Sequence, residues 1–310
     1  MKAVVRKSTG SWYEIETDEG EVLEARLKGK MRTLDLKSTN PVAVGDRVSF
    51  EREGDEALIK DIEARKNYLI RRSINLSKQT QIIAANIDQL FLLITLKDPV
   101  TYKGFVDRVL VGAEAYRIPA VLVYNKIDQL SDKDRDDLEI WKACYEKAGY
   151  KQMEISAKEG IGIAQMKEEM KGKVSIFSGH SGVGKSTLVN TLDPNQQLRV
   201  GEISESHGSG QHTTTYAELF TLAFGGMIVD TPGIKGFGNV NMEKEVISHY
   251  FPEMRARMKD CKFNNCLHIK EPKCAVKEAV ARGEIAESRY FNYLSIYEED
   301  VEESFRSKGY

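Results

Sequence analysis

The sequence predicts a multidomain chain: an N-terminal antiparallel β-barrel, a central doubly wound α/β domain, and a mainly α C-terminal domain that binds a metal ion. Three observations predict it. Short alternating runs broken by turns fill the first part, near-continuous apolar runs separated by amphipathic stretches fill the middle, and four metal-ligating side chains crowd into fourteen residues near the end. The boundaries read 1-72, 73-240 and 241-310.

At 310 residues the chain is long enough for two or three cores, since one domain takes roughly 100–200 residues. Its 41% hydrophobic and 30% charged residues, with 24 Gly and 7 Pro, are those of a globular protein and exclude a disordered or fibrous one. No stretch approaches the roughly 18–20 uncharged apolar residues of a membrane span, and MKAVVRKSTG turns polar too soon for a signal-peptide core. A cytoplasmic protein with no membrane contact is expected. The 4 Cys argue against a disulfide framework in a reducing compartment and leave free thiols or metal ligands. A net charge of -2 exerts no global pull on nucleic acid, so any RNA contact must come from local patches.

The N-terminal runs are MKAVVRK, SWYEIET, EVLEARLKG, DRVSFERE and EALIKDIEAR. They alternate with period two and are separated by DEG, NPVAVGD and EGD turn signals. Five such strands fit an oligonucleotide-binding barrel, the OB-fold. A barrel of this kind either contacts RNA or serves as a docking module. The cations Arg26, Lys28, Lys30 and Arg32 favour phosphate contact, with a solvated basic face as the alternative.

From about residue 80 the pattern becomes IDQLFLLITL, a helix over roughly 102–116, PAVLVYNKID, a charged helix near 133–148, QMEISAK, a helix near 163–170, and VSIFSG. Apolar strands separated by helices signal a parallel sheet covered on both faces. Another helix opens after Gly184. The segment DPNQQLRVGEISESHGSGQHTTT has no apolar periodicity, and a loop that long inside a domain is usually functional or mobile. ELFTLAF and MIVDTP, joined by Gly225 and Gly226, read as a hairpin at the sheet edge.

Gly179, Gly184, Lys185 and Ser186 satisfy G-x-x-x-x-G-K-[ST], and His180, Ser181, Gly182, Val183 and Thr187 complete GHSGVGKST. A strand precedes this loop and a helix follows it, which is the context a phosphate loop requires. Its backbone N–H groups curl round a β-phosphate, Lys185 neutralises the β/γ oxygens, Ser186 ligates magnesium, and the helix N-terminus adds partial positive charge. DTPG at Asp230–Gly233 aims a carboxylate at the magnesium shell and the Gly233 N–H at the γ-phosphate.

Asn125, Lys126 and Asp128 of NKID fit guanine. A carboxylate accepts from N1–H and the 2-amino group together, which adenine cannot supply, and the wrong base leaves buried polar groups unpaired. Lys126 lies along the base plane. Ser156, Ala157 and Lys158 form SAK, a common tripeptide that gains meaning after NKID, where it offers a backbone N–H to the guanine carbonyl. The ligands predicted are GTP or GDP with magnesium. These are the parts of a P-loop GTPase in rotated order, base reader before phosphate loop. Domain termini usually lie near one another, so a doubly wound sheet can be closed and reopened elsewhere. Reopening it after DTPG ties the C-terminal domain to the segment that responds to γ-phosphate loss.

Cys261, Cys266, His268 and Cys274, spaced x4, x1 and x5, suit one tetrahedral structural zinc ion. Unliganded thiols are the alternative. Cys144, beside Trp141 and Tyr145, packs as a small apolar residue. Lys259, Lys262, Lys270, Lys273 and Lys277 form a basic rim, suited to RNA phosphate or simply solvated.

A rotated GTPase between a β-barrel and a Cys-x4-Cys-x-His-x5-Cys module resembles the RsgA (YjeQ) family, ribosome small-subunit-dependent GTPases, over essentially the entire chain. The resemblance implies a bacterial cytoplasmic GTPase, here expected as a monomer. It would bind the small (30S) ribosomal subunit late in its maturation, contact 16S rRNA, and hydrolyse GTP to GDP and phosphate faster when docked. The family's switch segment reads G-R-H-T-T-T, whereas this chain has Gln211 in the arginine position, and one of Thr213, Thr214 and Thr215 would cap magnesium. Ile234 follows DTPG where many GTPases carry a glutamine that orients the attacking water. Isoleucine cannot bond water, so slow intrinsic hydrolysis is expected. The resemblance makes His212 the candidate that orients or deprotonates the water, with a merely solvated histidine as the alternative; the other catalytic candidate is Lys185, by the phosphate-loop pattern. His180, His207 and His249 carry no comparable argument. A competing reading is a zinc-stabilised rRNA-binding protein with GTP as a static ligand, for which Ile234 is the best support. A metabolic or signalling switch is weaker, because both flanking modules read as RNA-docking surfaces.

Overall fold

A computed structural model describes residues 1–9, 12–28, 41–54, 56–72, 80–194, 217–230 and 242–307. Five short strands open the chain: β1 (Lys2–Ser8), β2 (Tyr13–Thr17), β3 (Val22–Leu27), β4 (Arg47–Glu53) and β5 (Glu56–Ile62). Alternation sets their inner face. Ala3 and Val5 of β1, Tyr13 and Ile15 of β2, Phe50 of β4 and Ile59 of β5 point into one buried cluster. Side chains of the larger kind contribute about 1.5–3 kcal/mol each when fully buried. β1 pairs antiparallel with β2, β2 with β3, and β4 with β5, β3 runs parallel to β5, and β4 returns to β1. That last pairing closes the expected five-stranded barrel. At its end the buried Asp46 carboxylate accepts the Ala43 N–H at 2.8 Å and the Arg65 guanidinium twice at 2.6 Å.

A hairpin that the sequence pattern did not reveal follows, β6 (Tyr68–Arg72) with β7 (Thr80–Ala85). Each run is short, and their matching, such as Leu69 opposite Ala84, becomes visible only when the second strand is apposed. The α/β elements then match the expected order: β8 (Gln89–Ile94), α1 (Lys103–Ala115), β9 (Ala120–Tyr124), α2 (Asp132–Lys147), β10 (Lys151–Glu154), α3 (Ile163–Met170), β11 (Val174–Ser178), α4 (Lys185–Leu192), β12 (Glu218–Thr221) and β13 (Met227–Asp230). All six residues of β8 are buried, as its unbroken apolar run implies. α2 starts where Ser131 and Asp134 form a reciprocal capping box.

The chain divides into two compact units, Met1–Phe91 with Gly162–Ser178 and Lys185–Ile234, and Leu92–Ile161 with Gly179–Gly184 and Lys235–Tyr310. In the first, β11 runs parallel to β13 and β13 pairs antiparallel with β12. The outer strand of this hairpin is not a free edge, as the sequence suggested: Lys7 of β1 pairs with Glu218 of β12, and their side chains meet at 2.6 Å. Unpaired strand edges attract further strands, and the barrel supplies one.

In the second unit, β9 runs parallel to β10, and the Asn125 N–H reaches the Ile94 carbonyl at 2.8 Å. The C-terminal elements are a 3-10 helix at Lys244–Tyr250, α5 (Pro252–Arg255), α6 (Ala275–Ala281) and α7 (Glu287–Ser307). Ile247, Phe251, Met254, Val276 and Tyr293 pack with Val111 of α1. No described helix is long and apolar enough to cross a membrane.

Beside this apolar cluster lies a buried ion network. Arg289 of α7 donates to Asp107 of α1 at 2.7 Å and to both oxygens of Glu253 in α5 at 2.7 and 3.0 Å. Asp107 also accepts from Tyr145 Oη at 2.9 Å and from Asn292 Nδ2. Burial alone would depress the Arg289 guanidinium, but the Asp107 and Glu253 carboxylates outweigh it and hold it well above its ordinary value. Arg289→Met strands two buried carboxylates and should cost about 3–5 kcal/mol, read as a lower urea midpoint. Arg108→Ala, which breaks the more exposed Arg108–Glu299 pair, should change stability by less than about 1 kcal/mol.

Candidate nucleotide and metal sites

NKID begins where β9 ends. The Asn125 side chain is buried, its Nδ2 donating to the Val183 carbonyl at 2.8 Å and its Oδ1 accepting the Ala157 N–H at 3.1 Å. One amide therefore joins NKID, SAK and the GHSGVGKST loop. It acts as an internal strut, a role more specific than the general one the motif suggested.

Its neighbours point elsewhere. Lys126 has a left-handed backbone, φ 63°, and its Nζ donates to the Asp98 carbonyl. Asp128, in the 3-10 turn Ile127–Gln129, is exposed, leaving its carboxylate accessible to a ligand. Ser156 is buried, its Oγ accepting the Glu159 N–H at 3.1 Å, while Lys158 is exposed.

Two glycines of the phosphate loop are obligatory. At Gly184, φ +96°, a Cβ would lie 2.5 Å from Asn125 Nδ2, and at Gly179, φ +148°, it would lie 2.8 Å from the Leu93 carbonyl oxygen. Ser181 and Gly182 are exposed and Val183 is buried. The His180 ring stacks on Phe105 of α1, centroids 3.7 Å apart. No motif announced Phe105, whose place beside the loop follows from the entry of α1.

Lys185, Ser186 and Thr187 open α4, and Asp230 ends β13, both in the first unit. Burial pushes the Lys185 ammonium below its ordinary value. A phosphate anion beside it would oppose that shift. Gly233, His212, Thr213, Thr214, Thr215, Gln211, Ile234 and His207 lie outside the described residues, as do Lys30 and Arg32 of the barrel's basic cluster. Within that cluster Arg26 lies over the Trp12 ring at 3.8 Å and pairs with Glu56 at 3.0 Å, so its charge is partly answered inside the protein.

Cys261, Cys266, His268 and Cys274 converge, all four donor atoms lying within 4.8 Å of one another. His268 Nδ1 is 3.3 Å from Cys274 Sγ and 3.7 Å from Cys261 Sγ. A single carboxylate shapes the loop between them: Glu271 accepts the N–H groups of Leu267, Ile269 and Lys270 at 2.9, 2.9 and 3.0 Å. Burial works against the charged Glu271, but these donors outweigh it and hold the carboxyl below its usual range. From α7, Tyr290 Oη donates to the His268 carbonyl at 2.7 Å and Tyr293 Oη to that of Leu267.

Burial pushes the Cys266 thiol up to about 12, raises that of Cys274, and lowers the His268 imidazole. Three sulfurs and one imidazole are a donor set that suits a divalent cation, whose binding draws thiol protons off. Of the basic rim, Lys259, Lys262, Lys270 and Lys273 are exposed, whereas Lys277 donates to the Ile269 carbonyl at 3.2 Å.

The family model for the RsgA GTPase matches residues 62–240, and that for the RsgA N-terminal domain matches residues 3–59. The chain belongs to the RsgA GTPase family. Among its curated relatives is the small ribosomal subunit biogenesis GTPase RsgA of Christiangramia forsetii, 54% identical over 314 aligned positions that cover 100% of this chain and 99% of that one. Another is the small ribosomal subunit biogenesis GTPase RsgA 2 of Bacteroides thetaiotaomicron, 50% identical over 99% of each chain. Among solved structures, YjeQ from Thermotoga maritima superposes with a TM-score of 0.79 at 36% identity, covering 97% of this chain and 98% of that one. YloQ, a circularly permuted GTPase, superposes with a TM-score of 0.77 at 28% identity, covering 97% and 95%. As in that family, a permuted GTPase follows the five-stranded barrel and precedes the Cys3His cluster.

Asn125→Ala would remove the two bonds that its amide makes, to the Ala157 N–H and to the Val183 carbonyl. Guanine-nucleotide affinity should fall about tenfold, because two buried hydrogen bonds together contribute about 1–3 kcal/mol. Titration with fluorescently labelled GDP reads this directly.

Proposed function

We propose that this protein is a GTP hydrolase that acts on the small (30S) ribosomal subunit during its late assembly, binding it, hydrolysing GTP to GDP and phosphate, and turning over faster when docked. The subunit part of this reading is supported by the relatives named small ribosomal subunit biogenesis GTPase, and the observation that carries its nucleotide part is the Asn125 amide. It links the base-reading and phosphate-cradling segments despite their inverted order.

In this proposal Asp128 accepts from the guanine N1–H and 2-amino group, Lys126 packs along the base, and Ser156, Ala157 and Lys158 present backbone to the guanine carbonyl. Residues 179–187 hold the phosphates, with Lys185 on the β/γ oxygens, Ser186 and Asp230 toward magnesium, and Gly233 toward the γ-phosphate. Magnesium supplies neutralisation of the phosphate charge. His212 orients the attacking water, the role Ile234 cannot take. Cys261, Cys266, His268 and Cys274 hold one zinc ion, which contributes folding energy rather than chemistry. The division into modules 1-72, 73-240 and 241-310 belongs to this proposal, as do contact with 16S rRNA through the barrel and the lysine rim, a monomeric state and a cytoplasmic location.

GTP turnover should rise strongly on adding purified small subunits and stay flat with large subunits. No rise with small subunits, GTP still being bound, would overturn the docked-switch reading. For the metal, binding requires loss of thiol protons, so zinc affinity should rise with pH and fall on acidification. A chelator at pH about 6 should strip zinc faster than at pH about 8, with loss of helical circular dichroism from the C-terminal elements.

A further inference from the structure

Between β8 and α1 runs a short loop, TLKDPVT, residues 95–101, that belongs to none of the sequence motifs. Two buried threonines close it. Thr95 Oγ1 donates to the Pro99 carbonyl at 2.5 Å, the Thr95 N–H donates to Thr101 Oγ1 at 3.1 Å, and the Thr101 N–H returns to the Thr95 carbonyl at 2.8 Å.

The closed loop touches the candidate nucleotide site at two places. Its Asp98 carbonyl accepts from Lys126 Nζ, and its Pro99 ring lies against the phosphate loop, where a Cβ on Gly182 would come within 3.4 Å of Pro99 Cδ. The buried hydroxyls are not needed to fill space, since valine has the same shape without the polar atom. Both hydroxyls bond within the loop, so what they specify is its conformation and the position of the Asp98 carbonyl.

A lysine side chain has many rotamers, and holding it in place beforehand removes part of the ordering cost from ligand binding. We propose that Thr95 and Thr101 are positioning residues for guanine-nucleotide binding, fixing the Asp98 carbonyl so that it holds Lys126 ready for the base. This inference rests on the reading of Lys126 as a base-contacting residue.

The test is GDP affinity of the full chain, measured with fluorescently labelled GDP, for Thr95→Val, Thr95→Ser, Lys126→Ala and the double variant Thr95→Val/Lys126→Ala. Loss of one hydrogen bond in the brace should weaken Thr95→Val about fivefold. Thr95→Ser, which keeps the hydroxyl, should stay within about twofold of the native chain. The double variant should bind no more weakly than Lys126→Ala, because Thr95 acts through that lysine. Native affinity in Thr95→Val, or losses that multiply in the double variant, would overturn the proposal. Native affinity in Lys126→Ala would instead overturn the base-contact reading beneath it, and the two failures are thereby told apart. If Thr95→Val does not fold, Thr95→Ala removes the same hydroxyl and carries the same comparison.

Discussion

Buried amide groups must be paired, and at Asn125 that requirement reaches across the sequence. Its side chain bonds to Ala157, 32 residues on, and to Val183, 58 residues on. Neither partner can shift without leaving a polar group stranded, at a cost near that of a lost hydrogen bond or more. The requirement also dictates its surroundings: Gly184 has no side chain because Asn125 Nδ2 occupies that space. Chain order is immaterial to such a bond. A GTPase can be cut and rejoined so that its base reader comes first, provided these side-chain and backbone contacts re-form.

α1 carries two kinds of contact within its unit. Phe105 stacks on His180 of the phosphate loop, and two residues later Asp107 receives Arg289 from α7. The residues lie on one helix and are thus rigidly spaced. Arg289 is a demanding choice for a core position, since a buried guanidinium tolerates little displacement from its carboxylates. It sits over Phe251, 4.7 Å from the ring centroid, with Asp107 and Glu253 as its ionic partners. An apolar cluster alone would accept several packings of the C-terminal elements on α1. The fork of hydrogen bonds accepts one.

The loop that carries the Cys3His cluster follows a similar logic. Glu271, Tyr290 and Tyr293 engage its backbone, so the loop conformation is built by groups other than the four donors themselves. The donors converge because the peptide is held. In metal sites generally, supporting bonds of this kind orient the ligands and are costly to lose.

Motif spacing and hydrophobic period determined the barrel, the order of the α/β elements, the helix spans, the phosphate loop, NKID and the Cys3His set from the sequence alone. Each is a local property, legible over a few residues. The β6–β7 hairpin, the pairing of β12 with β1, the strut role of Asn125, the stack of Phe105 on His180, and the Arg289 network were decided only by tertiary structure. The reason is sequence separation. Asp107 and Arg289 are 182 residues apart and each reads alone as an ordinary charged residue on an amphipathic helix. A partner that lies far along the chain leaves no periodic trace, so burial and charge pairing at such positions emerge only once the helices have packed.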